Sequence, residues 1–244
     1  MWDVDPTQAA VLVLCAIVAS AIAAIVGFGG AILLLPPLVW TFGVRDAVPI
    51  LTLVQFVGNG SRVWFNRAAI DRPIVGWYSL GAVPVALIGG FAFAATPARW
   101  LARGVGLFLV AVVVHRRAGG GRHARCPLRA FAGVGAVSSL LSSMVGSTGP
   151  VTAPFFLAYG LSRGAYIGTE AAATVVTHVF KLFAYGWSGL ITPHVLLASL
   201  PLVPCMIAGT WLGKRVVDKL DARAFVILIE IVMLATGAML AIRG

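Results

Sequence analysis

The chain has 244 residues, of which 60% are hydrophobic and only 11% are charged. A soluble domain carries about 25% charged residues, so this chain has too few polar residues to cover a globular core, and a soluble catalytic domain is excluded. Charged residues are missing altogether from four stretches, which are 6–44, 73–98, 130–162 and 182–213. Each stretch is long enough for at least one membrane-spanning helix of about 20 residues. The sequence therefore predicts an all-α polytopic membrane protein.

The net charge of +10 would suit a nucleic-acid partner, but its distribution does not. The basic residues lie mostly in short connections between apolar segments, as the positive-inside rule describes, so the expected partners are the lipid bilayer and no nucleic acid. The three cysteines, Cys15, Cys126 and Cys205, follow no metal-binding or disulfide spacing. No metal or cofactor is expected. No basic residue precedes Arg45, so the first apolar segment is not expected to be a cleaved signal peptide.

The chain repeats itself once along its length. Residues 79–84 (SLGAVP) match residues 199–204 (SLPLVP), and the segment 27–30 (GFGG) falls opposite 146–149 (GSTG), each followed closely by a proline. The repeat predicts three parts, which are an N-terminal transmembrane repeat (1–114), a basic cytoplasmic linker (115–129) and a C-terminal transmembrane repeat (130–244).

The charges of the connections predict how the chain crosses the membrane. Connections 115–129 and 214–223 are rich in Lys and Arg and are expected inside, whereas 186–194 has neither and is expected outside. Each repeat is then a glycine-broken helix hairpin (8–42 and 130–160) plus three transmembrane helices, at 47–66, 73–93, 98–114, 166–186, 195–213 and 224–241. This makes the two repeats inverted, as in many secondary transporters. A parallel arrangement of four plus four spans is the alternative, because Arg99 and Arg103 would otherwise lie outside.

The two glycine segments are the first candidate substrate site. Broken backbone at membrane depth is tolerated only where protein or a watery cavity satisfies its polar groups, and each break precedes a new apolar helix. A helix N-terminus carries free N–H groups and a partial positive charge, so two of them meeting near the midplane would bind an anion. The alternative is that the glycines only allow close helix packing. The candidate residues are Gly27, Phe28, Gly29, Gly30, Gly146, Ser147, Thr148 and Gly149.

A polar stripe follows each hairpin and ends in a cation. Gln55, Asn59 and Arg62 share one helical face at spacing i, i+4, i+7, and Thr174, His178 and Lys181 occupy the equivalent positions of the second repeat. Cations that face a bundle interior would neutralise a bound anion. The alternative is that Arg62 and Lys181 extend to the lipid head groups.

Several other residues raise narrower expectations. Glu230, mid-way along the last span, and His178 are candidates for proton coupling, with structural hydrogen bonding as the alternative for both. Glu170 is assigned no role, because a carboxylate near a helix start is favoured by the helix dipole. Pro84 and Pro204 are expected to kink their helices. The serines at 138–139 and 142–143 are expected to let helices approach closely.

The glycine motifs and their duplication resemble those of the TauE/SafE family of sulfite exporters, through both halves of the chain. The motif Gly27-Phe28-Gly29-Gly30 with the following Pro36-Pro37-Leu38 carries the resemblance, together with the second motif at 146–149, in which Thr148 replaces the usual glycine. The resemblance implies a non-enzymatic transporter that exports a small anion, namely sulfite, a sulfonate such as sulfoacetate, or thiosulfate, across the plasma (inner) membrane. A passive anion channel and a membrane anchor or chaperone for a partner enzyme are the alternatives, and a homodimer is a candidate assembly.

Overall fold

A computed structural model describes residues 4–27, 29–117, 127–146, 149–216 and Leu234. Within these residues the chain forms helices and no strand. The first half contains α1 (Pro6–Val26), α2 (Gly30–Asn66), a single 3-10 turn at Arg67–Ala69, α3 (Arg72–Ala95) and α4 (Ala98–Arg117). The second half contains α5 (Ala130–Val145), α6 (Gly149–Ala158), α7 (Arg163–Trp187), α8 (Pro193–Ser199) and α9 (Leu202–Val216). The predicted last span, 224–241, lies outside the described residues except for Leu234.

Four helical segments among the described residues are long and apolar enough to cross a membrane, at Pro6–Val26, Gly30–Ala69, Arg72–Ala95 and Pro193–Arg215. The expected all-helical chain with several membrane-spanning segments is thereby confirmed. The crossings expected at 98–114 and 166–186 are not among the four. Helix α7 is 25 residues long, but its interior includes Glu170 and Lys181. These two crossings stay predictions.

Both predicted helix breaks are confirmed, and they have the same backbone geometry. Helix α1 ends at Gly27 with φ 90° and ψ −15°, and α5 ends at Gly146 with φ 84° and ψ −15°. The Gly27 N–H donates to the Ala23 carbonyl at 2.9 Å, and the Gly146 N–H donates to the Ser142 carbonyl at 2.9 Å. This left-handed conformation ends a helix and is adopted cheaply only by glycine, so the sequence locally determines where each hairpin breaks.

The hairpin of the first half also ends near its predicted position. Helix α2 contains one non-helical residue, Gly43 (φ 72°, ψ 163°), which separates a segment at 30–42 from a segment at 44–66. The kinks expected at Pro84 and Pro204 stay predictions. Helix α3 continues through Pro84, and the second half is interrupted at residues 200–201, before Pro204. Pro201 lacks the N–H that would continue the helical hydrogen bonds.

The connections between helices lie at two ends of the bundle. At the first end, which we call the His194 end, Arg45 donates to the carbonyls of Ala94 at 3.0 Å and Thr96 at 3.3 Å, and Asp46 lies 3.4 Å from His194. At the other end, which we call the Asp71 end, the Asp71 N–H donates to Thr169 Oγ1 at 2.9 Å, and Lys214 donates to the Phe65 carbonyl at 3.1 Å. This grouping agrees with the sides that the charges predict for the connections.

Glycines allow two pairs of helices from different halves to pack closely. Helix α3 lies along α5, where a methyl group added at Gly81 would collide with the Ala132 carbonyl. Helix α9 lies along α1, where a methyl group added at Gly209 would collide with Ser20. Small residues are a common means of close helix packing in membranes. The serines contribute as expected, because Ser143 Cβ would lie 2.8 Å from a methyl group at Gly89.

Candidate functional site

The two glycine breaks meet at one small cavity between the halves. Its volume is about 40 Å³, enough for roughly three water molecules. Nine of the residues predicted for the site line it, and these are Gly29, Gly30, Gln55, Asn59, Arg62, Gly146, Gly149, Thr174 and His178. Three further residues, Ala31, Ser142 and Glu170, line the cavity without having been predicted for the site.

Two helices begin at the cavity. Helix α2 starts at Gly30 after Gly29, which has φ 101° and provides no side-chain cap. Helix α6 starts at Gly149. The first N–H groups of a helix have no partner within the helix, and the aligned peptide dipoles add a partial positive charge there. The cavity is therefore bordered by the positive ends of two helices, one from each half.

Arg62 supplies a full positive charge to the same cavity. Its Nη1 atom donates to the Gly27 carbonyl at 2.5 Å and to the Ala23 carbonyl at 3.3 Å, and it lies 3.3 Å from Glu170 Oε2. Its Nη2 atom donates to Asn59 Oδ1. The residue is 5% exposed, so the guanidinium is buried and does not reach lipid head groups. Asn59 and Arg62, one turn apart on α2, are thus held together as the stripe predicts.

Two buried polar atoms of residues that line the cavity have no hydrogen-bond partner. These are Gln55 Nε2 and His178 Nδ1, on residues that are 4% and 3% exposed. Most buried polar side-chain atoms in proteins are hydrogen-bonded, and an exception calls for an explanation. Both residues line the cavity, so a ligand bound there would lie beside these side chains.

A family model for the sulfite exporter TauE/SafE family matches residues 12–240. The chain belongs to this family. TauE/SafE proteins are membrane transporters of anions, which agrees with the expectation that the chain is not an enzyme. No curated protein and no solved structure is significantly similar to the chain.

Lys181, the second cation predicted for the site in this TauE/SafE chain, contacts the lining residue Ser142 but does not line the cavity itself. Its Nζ atom donates to the Ser142 carbonyl at 2.9 Å and to Ser142 Oγ at 3.2 Å. The residue is fully buried, but it does not line the cavity. Gly27 likewise lies behind the cavity wall, where its carbonyl accepts from Arg62.

Glu170 is the residue that the sequence analysis misjudged. It lies two turns inside α7 rather than at the helix start, and its side chain is buried against Arg62. Thr174 Oγ1 donates to Glu170 Oε1 at 3.1 Å. The sequence does indicate this position, because Glu170 lies one turn before Thr174 and therefore shares its helical face.

Four predicted site residues, Phe28, Ser147, Thr148 and Glu230, lie outside the described residues. Their roles as substrate or proton-coupling residues stay predictions.

Proposed function

We propose that this chain is a secondary transporter that moves small sulfur-containing anions across the plasma membrane, out of the cell. Membership of the TauE/SafE family supports anion export. The observation that carries the proposal is the convergence on one buried cavity of two helix N-termini, the Arg62 guanidinium and two polar side chains without partners. Helix N-termini and buried cations are the features with which proteins bind oxyanions.

The size and chemistry of the cavity favour the smallest candidates. A cavity of about 40 Å³ suits a compact ion such as sulfite better than a sulfonate that carries an organic chain. Four of the lining residues carry hydrogen-bond donors, namely the backbone N–H groups of Gly30 and Gly149, the Gln55 amide and the Arg62 guanidinium. We therefore rank sulfite first, thiosulfate second and sulfoacetate third as substrates.

An inverted arrangement of the halves would give this cavity access to either side. Residues 17–21 of α1 lie beside residues 209–213 of α9, and residues 78–86 of α3 lie beside residues 135–143 of α5, so each pair runs parallel. Helix α9 runs toward the Asp71 end and α3 runs toward the His194 end. Helix α1 therefore starts at the His194 end and α5 at the Asp71 end, which supports inverted halves that rock about a central site.

In this proposal the Asp71 end faces the cytoplasm. The charges at that end include Arg67, Arg72, Arg129, Lys214 and Arg215, and cytoplasmic connections carry the excess of Lys and Arg. Lys181 has a structural role in this proposal, because its hydrogen bonds to Ser142 stabilise the end of α5 before the second break.

A thermal-shift series on detergent-purified protein tests the binding half of this proposal. Sulfite, thiosulfate, sulfoacetate, taurine, sulfate and chloride are compared at constant ionic strength. A ligand of the native state raises the apparent stability in a saturable way, so we expect a shift with sulfite and thiosulfate and none with chloride. No shift with any sulfur anion would contradict the proposed site.

Counterflow in proteoliposomes tests the transport half. Vesicles loaded with unlabelled sulfite should accumulate labelled sulfite transiently, because an alternating-access carrier exchanges substrate across the membrane. A channel gives no such accumulation, and a protein that only anchors a partner gives no flux. Empty liposomes and liposomes with a Gly29→Ala variant are the controls.

A further inference from the structure

The cation of the cavity already has an anionic partner in the described site. Glu170 Oε2 lies 3.3 Å from Arg62 Nη1, and both side chains are 6% exposed. Glu170 itself lines the cavity. A carboxylate is therefore located where a substrate oxyanion would meet the guanidinium, and the two negative groups would repel each other at this depth, where screening is weak.

In the second half, the matching cation is held in place without a carboxylate from the part of the chain that the structure describes. Lys181 matches Arg62, and it binds the end of α5 with no carboxylate partner among the described residues. The position that corresponds to Glu170 in the first half is Leu51. Glu170 is also the one buried acid among the residues the structure describes. An acid inside a membrane-spanning helix is energetically costly and usually functional. The presence of Glu170 in one half of the chain, with no counterpart in the other, therefore requires an explanation.

We propose that Glu170 is an internal counter-ion that couples anion binding to a proton. In the empty protein its ionised carboxylate neutralises Arg62. When an anion binds to Arg62, the Glu170 carboxylate takes up one proton from solution, which removes the repulsion and leaves a neutral acid that donates a hydrogen bond. The anion and one proton are then carried together, so that a divalent anion crosses with a net charge one unit smaller. This inference rests on the proposed transport function.

The other titratable groups near Glu170 belong to three helices. Arg62 faces it from α2, Tyr78 lies within electrostatic range from α3, and Tyr166 and His178 belong to its own helix. His178 is the other group that could take the proton. It lies within electrostatic range of Arg62 and Lys181. A proton on His178 adds a third positive charge to a buried cluster, whereas a proton on Glu170 removes a negative charge beside the bound anion.

Calorimetric titration of the purified full chain with thiosulfate tests this coupling. Thiosulfate keeps its charge throughout the neutral pH range, unlike sulfite, so the protein alone determines the pH dependence. Titrations in buffers of different ionisation enthalpy should reveal the uptake of one proton for each anion bound. The affinity should rise about tenfold for each unit by which the pH falls, over the range in which Glu170 is ionised in the empty protein and protonated in the complex.

Two variants determine which side chain takes up the proton. Glu170→Gln keeps the shape of the side chain and mimics the protonated acid, so it should bind thiosulfate tightly, without proton uptake and without pH dependence. His178→Gln should keep the proton uptake and the pH dependence of the wild type, whatever its affinity for thiosulfate. The wild-type measurement stands even where a variant does not fold.

The outcomes separate this inference from the proposed function. Thiosulfate binding by the wild type without proton uptake would overturn the coupling and leave the transporter standing. The same holds for a Glu170→Gln variant that keeps the wild-type pH dependence. No saturable binding of thiosulfate or sulfite at any pH would overturn the proposed function, and the coupling with it.

Discussion

Arg62 and Lys181 make the same kind of contact in the two halves of the chain. Each donates to carbonyl groups at the end of the helix that precedes a glycine break, Arg62 to Ala23 and Gly27 and Lys181 to Ser142. The carbonyl end of a helix carries a partial negative charge, so each cation stabilises a broken helix at membrane depth. Arg62 differs in that it also lines the cavity.

This difference predicts that the two cations have separable roles. Lys181→Met should lower the free energy of unfolding by about 1.5–3 kcal/mol, the usual value of a hydrogen bond to a charged group, while the affinity for thiosulfate stays within about threefold. Arg62→Met should lower the affinity for thiosulfate, because it removes the cation of the cavity. It should also lower the free energy of unfolding by about 3–5 kcal/mol, because it leaves Glu170 buried without its partner. Chemical denaturation in detergent and calorimetry measure the two quantities.

A double variant controls for the instability of Arg62→Met. Arg62→Met combined with Glu170→Gln removes the unpaired charge and should recover part of the lost stability, but not the binding. An equal loss of affinity in Lys181→Met and Arg62→Met would mean that Lys181 also contacts the substrate.

The unpaired Gln55 amide is predicted to destabilise the empty protein and to contribute to substrate binding. Because its Nε2 atom is buried without a partner, Gln55→Leu should raise the free energy of unfolding of the empty protein by about 1 kcal/mol. The same change should abolish the stabilisation by sulfite, since the amide donor is gone. Thr52→Val is the matched control, because Thr52 is buried on the same helix, bonds to the Val48 carbonyl and does not line the cavity. Anion-dependent stabilisation that survives in Gln55→Leu would place the substrate elsewhere.

Gly29 allows backbone strain to be separated from loss of the site. Gly29 (φ 101°) and Gly189 (φ 70°) both have a left-handed backbone, and a methyl group at either would meet no atom closer than 3.9 Å. Alanine should therefore cost about 1–2 kcal/mol at each position. Labelled-sulfite uptake should be lost only in Gly29→Ala, because the added methyl group enters a cavity with room for a few atoms. Equal uptake by the two variants, at equal amounts in the membrane, would argue against the cavity as the transport site.

The packing of α3 on α5 predicts opposite results for two glycines of one helix. A methyl group at Gly81 would collide with the Ala132 carbonyl, whereas one at Gly76 would meet nothing within 4 Å. Gly76→Ala should therefore raise stability by up to about 1 kcal/mol, the difference in helix propensity between the residues. Gly81→Ala should lower stability, since the two helix backbones must separate. Thermal unfolding of the pair in the same detergent measures this, and a stabilising Gly81→Ala would contradict the packing.

The sequence alone determined the all-helical membrane class and the positions of both helix breaks. These features depend on local chemistry. A glycine followed by a new apolar segment ends a helix wherever it lies, and a charge-free run of sufficient length is a candidate span in any fold. The matched positions of Arg62 and Lys181 follow from the duplication, so they too could be read directly from residue numbers.

The tertiary structure alone decided which of the polar residues meet. Arg62 and Glu170 are 108 residues apart, and their contact depends on how the faces of α2 and α7 are turned toward each other. The same packing places Lys181 against Ser142, which lines the cavity, while Lys181 itself does not. Spacing along a helix specifies which side chains share a face, but the neighbour of that face is set by the sum of many weak contacts across the whole bundle. The spacing of Glu170 and Thr174 placed Glu170 on the right face of its helix, but its pairing with Arg62 required the tertiary structure.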